Sequence, residues 1–187
     1  MIMTETAAAA PPVTRAALRA HLRLSEGFPE DTAEDALLDC YLAAATVQIE
    51  RRTAQLLLQR PVTLRVGAWS GSGHLVLPVG PVAGIDSLAF SDGTAGDAGA
   101  LAIEPGRTRQ RVSRPGGAAL PPIPAGGHAV LDFTAGHGAT EEAVPEDLVQ
   151  AVLMLAAHRF EARDGADGTA LAAAVLALIA PHLPVRL

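Results

Sequence analysis

Cysteine is almost absent from the chain: Cys40 is the only cysteine among 187 residues. A single thiol cannot form a disulfide within the chain. A chain of this length nevertheless buries enough apolar surface to fold without disulfides or a structural metal. We therefore expect one domain, with Cys40 as a small buried side chain in a reducing compartment.

Lysine is absent altogether, so all 14 basic residues are arginines, and the formal net charge is -6. Proteins that wrap nucleic acid present clustered positive charge to the phosphate backbone. An acidic chain is a poor candidate for that function, although a duplex can pass beside an acidic surface without being held.

The chain also lacks an apolar run long enough to span a bilayer. Residues 1–12 have neither the basic start nor the sustained apolar segment of a secretory signal. We expect a soluble protein that is not exported by that route. Residues 1–12 are predicted to be a flexible lead before a short helix, for which Thr14 is the N-cap.

Helical spacing of apolar residues characterises both ends of the chain. After Thr32, apolar residues fall on one face and predict a long helix over residues 33–58. Residues 145–163 begin with Pro-Glu-Asp and are apolar around most of the circumference, which predicts a covered helix. An Ala-rich helix is predicted over residues 169–180, followed by an extended tail over residues 181–187.

Between these helices, residues 61–134 contain short runs in which apolar and polar residues alternate, the pattern of β-strands. Residues 114–127 are rich in Pro and Gly and predict an irregular loop. The sequence therefore predicts an α+β fold. Helices from both chain ends form a frame, and residues 61–134 form a β-rich insertion.

Residues with catalytic potential do not form a recognisable motif. Residues 70–74 lack the glycine spacing of a nucleophile elbow and favour a hairpin turn. Residues 136–140 lack the lysine and the spacing of a phosphate loop. His158 and Glu161 are three apart on a helix, but no second pair supplies the remaining ligands of a metal. We predict no catalytic, cofactor or metal site, and hence no enzyme.

Basic residues are concentrated in one segment only, where four arginines lie within eight residues: Arg107, Arg109, Arg111 and Arg114. Such a segment could contact phosphates from one strand face. No aromatic residues interleave with it, so a solvated edge or a contact with an acidic neighbouring subunit is favoured. A small DNA-binding regulator stays open as an alternative.

Seven short segments occur in a characteristic order: residues 13–24, 36–53, 77–82, 133–138, 144–148, Ala156 to His158 with Arg163, and Leu-Ile-Ala-Pro ending at Pro181. In this order and spacing they resemble the head-tail connector (adaptor) family of long-tailed bacteriophages and of phage-derived gene transfer agents. The resemblance covers nearly the whole chain. Residues 91–127 depart from the family pattern.

The resemblance implies a structural virion protein without a cofactor. Multiple copies, usually twelve, would form a ring between the portal and the stopper or tail, and DNA would pass through the lumen. The implied partners are the portal protein, a stopper or tail-completion protein and further copies of the chain, with DNA only as passing cargo and no membrane. The protein would lie in the host cytoplasm during assembly and then in the neck of the particle.

The resemblance also indicates contact residues. The helices of the chain would pack head-to-tail against adjacent subunits, and the C-terminal segment of the chain would dock on the portal. The candidate portal or subunit interface residues are Arg159, Arg163, Leu183, Val185, Arg186 and Leu187. Prolines in this tail reduce the entropy lost when it is ordered.

Two alternatives remain besides the regulator. The first is another neck protein, a stopper or tail terminator; these tend to be richer in β-structure. The second is a small hydrolase or metal enzyme with an unrecognised site, which would require a convergent pocket holding a perturbed histidine or carboxylate.

Overall fold

The structure, a computed structural model, describes residues 1–5, 9–24, 32–70, 73–105, 109–162 and 173–184. The chain forms two compact units. The helical unit comprises Ala9–Leu58 and Gly138–Leu183, and the sheet unit comprises Met1–Ala8, Gln59–His137 and Pro184–Leu187. Helices and antiparallel sheets occur in one chain, so the predicted α+β class is confirmed.

Within its described residues, the helical unit contains the helices α1 (Arg15–His21), α2 (Thr32–Thr53), α3 (Glu146–Glu161) and α4 (Ala173–Ile179). As predicted, Thr14 caps α1, since its hydroxyl accepts a hydrogen bond of 3.2 Å from the backbone N–H of Ala17. The predicted start of the last helix at residue 169 lies outside the described residues. A 3-10 turn, Ala180–His182, follows α4 where an extended tail was predicted.

The core of the helical unit lies where α2, α3 and α4 meet. It is built by buried side chains spaced three or four residues apart on each helix: Leu38, Leu42, Ala45 and Ile49; Leu148, Val152 and Leu155; and Val175 with Ile179. The prediction that most of the α3 circumference is covered is confirmed, because only three of its sixteen residues are exposed.

The long helix ends at Thr53, so the prediction that it extends to residue 58 is wrong. Ala54 adopts a left-handed conformation with φ 55°, which breaks the helix. Leu56 and Leu57 are nonetheless buried, at 2% and 0% exposure. Their burial explains why the apolar pattern continues past the end of the helix.

Cys40 is exposed, so the prediction of a buried thiol is wrong. It lies on α2 midway between Leu38 and Leu42, which both point into the core. A residue two positions from each faces away from them on a helix.

Two arginines of α1 pair with carboxylates of α2. Arg15 lies 2.7 Å from Asp35 and 2.5 Å from Asp39, and Arg19 lies 2.8 Å from Asp35. The hydrogen bond from Arg15 lowers the pKa of Asp39 below its ordinary value. Partly exposed pairs contribute little stability. They neutralise Asp35 and Asp39, two of the four acidic residues of α2.

In the sheet unit, the described strands are β1 (Ile2–Glu5), β2 (Arg60–Val66), β3 (Leu75–Val76), β4 (Val82–Phe90), β5 (Ala95–Gly96), β6 (Ala102–Glu104), β7 (Arg111–Ser113) and β8 (Ala129–Ala135). Five form an antiparallel sheet in the order β1-β2-β8-β4-β5, and three form a second sheet in the order β3-β7-β6. Alternate residues of β2 and β8 are buried, as the period-two pattern predicts.

The prediction of a flexible lead over residues 1–12 is wrong for Ile2–Glu5, which pairs antiparallel with β2. Arg60 binds the carboxylate of Glu5 at 2.7 Å. The strand satisfies the backbone groups of β2 that would otherwise form a free edge. Its side chains are mostly exposed, so its sequence carries little apolar signal.

The predicted irregular loop is confirmed, because the chain between β7 and β8 contains only a short 3-10 turn, Pro115–Gly117. The indole Nε1 of Trp69 donates a hydrogen bond of 2.6 Å to the backbone carbonyl of Pro121. This bond ties the loop to the rest of the sheet unit.

Candidate assembly surfaces

An open groove of about 780 Å³ lies on the helical unit between α2 and α3. We call it the arginine groove: it is lined by Ala43, Ala44, Val47, Gln48, Arg51, Arg52 and Arg159. Arg51 and Arg52 occupy the last turn of α2 and are exposed. The small side chains at positions 43, 44 and 47 leave the groove open, and the three guanidinium groups make it basic.

Arg159 connects the two helices that form this groove. Its Nη2 donates a hydrogen bond to the Oε1 of Gln48 on α2. Its Nε atom is buried and has no hydrogen-bond partner among the described residues. A neutral amide does not balance the charge of the guanidinium, so the groove retains positive charge next to apolar surface.

A second charged surface lies at the other end of α3. We call Glu141, Glu142 and Glu146 the glutamate edge; all three are exposed and border a groove of about 600 Å³. The 3-10 turn Glu141–Ala143 presents the first two. Gly138 is needed there, because a Cβ atom at this position would lie 2.2 Å from the Cβ of Ala143.

Glu142 is ionised at neutral pH. A hydrogen bond with Thr140 lowers the pKa of this carboxylate below its ordinary value. Glu146 follows as the first residue of α3, where negative charge favours the positive end of the helix dipole. The edge therefore carries a fixed negative charge.

The end of α4 is attached to the start of α3. The Nε2 of His182 lies 2.6 Å from the Oδ2 of Asp147, and the Oδ1 of Asp147 accepts a hydrogen bond from the backbone N–H of Leu148 at 2.9 Å. Leu183, one of the predicted contact residues, follows His182 and is 39% exposed. Arg163, Val185, Arg186 and Leu187 lie outside the described residues.

Of the six predicted contact residues, Arg159 and Leu183 lie within the described part of the chain. Arg159 lies in the arginine groove, and Leu183 follows the anchored turn after α4. Arg51 and Arg52 were missed by the sequence interpretation. Their signal in the sequence is two adjacent basic residues at the end of the long helix.

The alternating arginine segment is partly neutralised. Arg111 lies 3.1 Å from Glu104 across the pair β6 and β7. Hydrogen bonds from Ser113 and then Arg111 lower the pKa of Glu104. Arg109 is exposed, whereas Arg107 lies outside the described residues. The described arginines thus include an ordinary cross-strand pair.

Comparison with solved structures relates the whole chain to particle necks. Over 100% of its length it is 40% identical to a chain in the neck of an empty gene transfer agent particle computed with C6 symmetry, with a TM-score of 0.87 and 97% of that chain covered. The chain belongs to the head-tail connector family of phage-like particles. The resemblance found in the sequence is thereby confirmed.

Two further structures support membership of the head-tail connector family. A chain of the virion of a native gene transfer agent particle is 40% identical, with a TM-score of 0.83. A chain of the neck of a native particle computed with C12 symmetry is 37% identical, with a TM-score of 0.78. Both matches cover 100% of this chain and 97% of the other. No family model and no curated protein sequence matches the chain.

Head-tail connectors are structural proteins, so family membership confirms the prediction that this chain is not an enzyme. Within its described parts, the chain has no group of three or more His, Cys, Asp or Glu side chains able to hold a metal ion. No helix among the described residues is both long and apolar enough to cross a membrane.

Proposed function

We propose that this chain is the adaptor of the neck of a phage-like particle of the gene transfer agent type. Multiple copies form a ring between the capsid portal and the stopper or tail. The ring encloses a channel through which DNA passes. The protein assembles in the cytoplasm of the bacterial host and then remains in the neck.

One observation carries the proposal: the match to neck chains extends over the full length of both chains at about 40% identity. A shared fold alone does not transfer function. Here the match covers 100% of this chain and therefore includes both units. The symmetric necks from which two of the matches come support assembly as a ring of copies.

The helical unit favours the adaptor over the stopper. Stoppers and tail terminators tend to be richer in β-structure, whereas α2 and α3 supply much of the core of the helical unit. Long packed helices also provide rigid surfaces for neighbouring subunits. The arginine groove and the glutamate edge both lie on this unit.

The charge of the chain suits a DNA channel. A formal net charge of -6 disfavours retention of the phosphate backbone and permits the duplex to slide. We propose that the lumen is lined by acidic or neutral side chains. The C-terminal segment, which begins with the exposed Leu183, then docks on the portal.

The function is tested by deleting the gene from a producing strain and examining particles by electron microscopy. An adaptor is needed to complete the neck, so DNA-filled heads and free tails should accumulate unjoined. Expression of the wild-type gene from a plasmid should restore joined particles. Normal particles from the deletion strain would contradict the proposal.

The same strain distinguishes the adaptor from a stopper. If the chain binds the portal directly, heads from the deletion strain should carry a portal but none of the neck proteins that follow. Heads that retain another ring on the portal would instead indicate a position further from the capsid.

A further inference from the structure

The three arginines of the arginine groove lack carboxylate partners within the described part of the chain. Arg51 and Arg52 make no ion pair with any described residue, and Arg159 has only the amide of Gln48. The Nε atom of Arg159 is buried without a partner. A guanidinium group in this state gains most from a carboxylate, which accepts two parallel hydrogen bonds.

The lining of the groove suits a protein segment. Ala43, Ala44 and Val47 are half-buried and lie beside the arginines. Such small apolar side chains allow a second backbone to approach closely and bury apolar surface, whereas nucleic-acid phosphates would gain nothing from them. The combination of arginines and small apolar side chains favours a peptide that carries carboxylates as the occupant of the groove.

The same unit presents three carboxylates without cationic partners among the residues that the structure describes. They are the members of the glutamate edge, Glu141, Glu142 and Glu146. The remaining carboxylates near the start of α2 already bind Arg15 and Arg19. Among its described residues, the helical unit thus presents an uncompensated basic surface, the arginine groove, and an uncompensated acidic surface, the glutamate edge.

These two surfaces cannot pair within one copy. Glu146 and Arg159 are thirteen positions apart on α3, which separates them by roughly 20 Å along the axis. At 3.6 residues per turn they also point about 140° away from each other around the helix. Complementary surfaces at different places on one chain produce head-to-tail association between copies, which closes into a ring if the rotation allows.

We propose that the arginine groove of each copy receives the glutamate edge of the next copy, and that this contact closes the ring. The inference rests on the proposed function and specifies its subunit contact. The half-buried apolar lining of the groove supplies contact area, while the charge pairs fix the register and the direction of the ring.

Charge reversal in the deletion strain tests the contact. One variant carries Arg51→Glu with Arg52→Glu, and the other carries Glu141→Arg with Glu142→Arg. Each variant alone places like charges opposite each other, so joined particles should fall about tenfold or more. Control variants reverse exposed charges elsewhere, at Glu161→Arg and Arg65→Glu, and should complement normally.

Co-expression of the two reversed variants is the decisive arm. In an alternating ring, the glutamates at positions 51 and 52 of the first variant meet the arginines at positions 141 and 142 of the second. The unchanged arginine groove of the second variant meets the unchanged glutamate edge of the first. Joining should therefore recover, and it should also recover with all four substitutions in one chain. Far-UV circular dichroism and thermal unfolding of each purified variant establish that it folds.

The outcomes separate the contact from the function. If the gene is required for joining but the reversed variants complement alone, the proposed contact is wrong and the adaptor function stands. If folded variants fail alone and neither combination restores joining, the groove binds another protein or DNA, and the contact is again wrong. If the gene deletion itself has no effect, the proposed function fails.

Discussion

The Nε2 of His182 lies 2.6 Å from the Oδ2 of Asp147, which joins the turn after α4 to the first turn of α3. Asp147 also accepts a hydrogen bond from the backbone N–H of Leu148. One side chain therefore stabilises the start of α3 and fixes the point from which the C-terminal segment leaves the helical unit. Leu183 follows this pair, and its backbone N–H donates a hydrogen bond of 3.3 Å to the carbonyl of Ala180.

We predict that Asp147→Asn lowers the free energy of unfolding at pH 7 by about 0.5–1 kcal/mol, because the pair is partly exposed. Partial burial raises the pKa of Asp147, but the hydrogen bond and charge of His182 outweigh burial and lower the pKa below 3.8. A carboxylate whose pKa is lowered by folding contributes stability when the pH is above its ordinary, unfolded-state pKa. That stability is lost as the pH falls through the folded-state pKa.

Urea unfolding between pH 7 and pH 2 measures this contribution. The wild type should lose more stability below pH 4 than the Asp147→Asn variant does. Asp97→Asn, at an exposed position of the sheet unit, is the control and should follow the wild-type curve. Coincident curves for wild type and Asp147→Asn would show that the pair contributes no stability.

Leu148 and Leu176 provide a matched comparison of buried and exposed leucines. Leu148 is fully buried on α3, whereas Leu176 is 41% exposed on α4. Leu148→Ala should lower the free energy of unfolding by about 3–5 kcal/mol, since it leaves a cavity. Leu176→Ala should change it by less than about 0.5 kcal/mol. Equal effects in a denaturant titration would contradict the core described for the helical unit.

Glu50 satisfies a backbone group beyond the end of α2. It is 5% exposed, and its Oε1 accepts a hydrogen bond of 2.8 Å from the backbone N–H of Leu57. Glu50→Ala should destabilise the protein by about 1–3 kcal/mol, because that buried N–H loses its acceptor. Glu50→Gln retains an oxygen that can accept this hydrogen bond, so it should lower the free energy of unfolding by less. Amide hydrogen exchange at Leu57 should accelerate in the alanine variant only; unchanged exchange in both would refute the contact.

Ala54 occupies a left-handed conformation, with φ 55°, that costs a non-glycine residue about 1–2 kcal/mol. Ala54→Gly removes this strain but adds entropy to the unfolded chain. We expect a net gain of about 0.5 kcal/mol in the free energy of unfolding, measured by urea titration. Ala45→Gly inside α2 should instead be destabilising by about 1 kcal/mol or more, and a loss at both positions would contradict the assigned turn.

Much of the fold could be predicted from local patterns. The Pro-Glu-Asp start of α3 and its apolar circumference determine both its limits and its burial. The end of α2 could not be predicted, because Leu56 and Leu57 continue the apolar pattern while a single left-handed residue ends the helix. Strand β1 was missed because its stability comes from pairing with β2, a long-range contact with little apolar signal.

The assembly surfaces were less accessible to sequence interpretation. The resemblance indicates Arg159 as a contact residue, but the groove exists only because α3 packs beside the last turn of α2. Glu141 and Glu142 lie just before α3, where acidic residues ordinarily do no more than favour the start of a helix. Their significance depends on the absence of cationic partners among the described residues, which is a property of the folded structure.

A residue-resolution electron cryomicroscopy reconstruction of the neck, from particles of the producing strain, tests the central claim most directly. The account predicts a ring of copies of this chain directly on the portal, with Arg51, Arg52 and Arg159 of each copy beside Glu141, Glu142 and Glu146 of the next. A portal whose adjoining ring is built from another protein would contradict it.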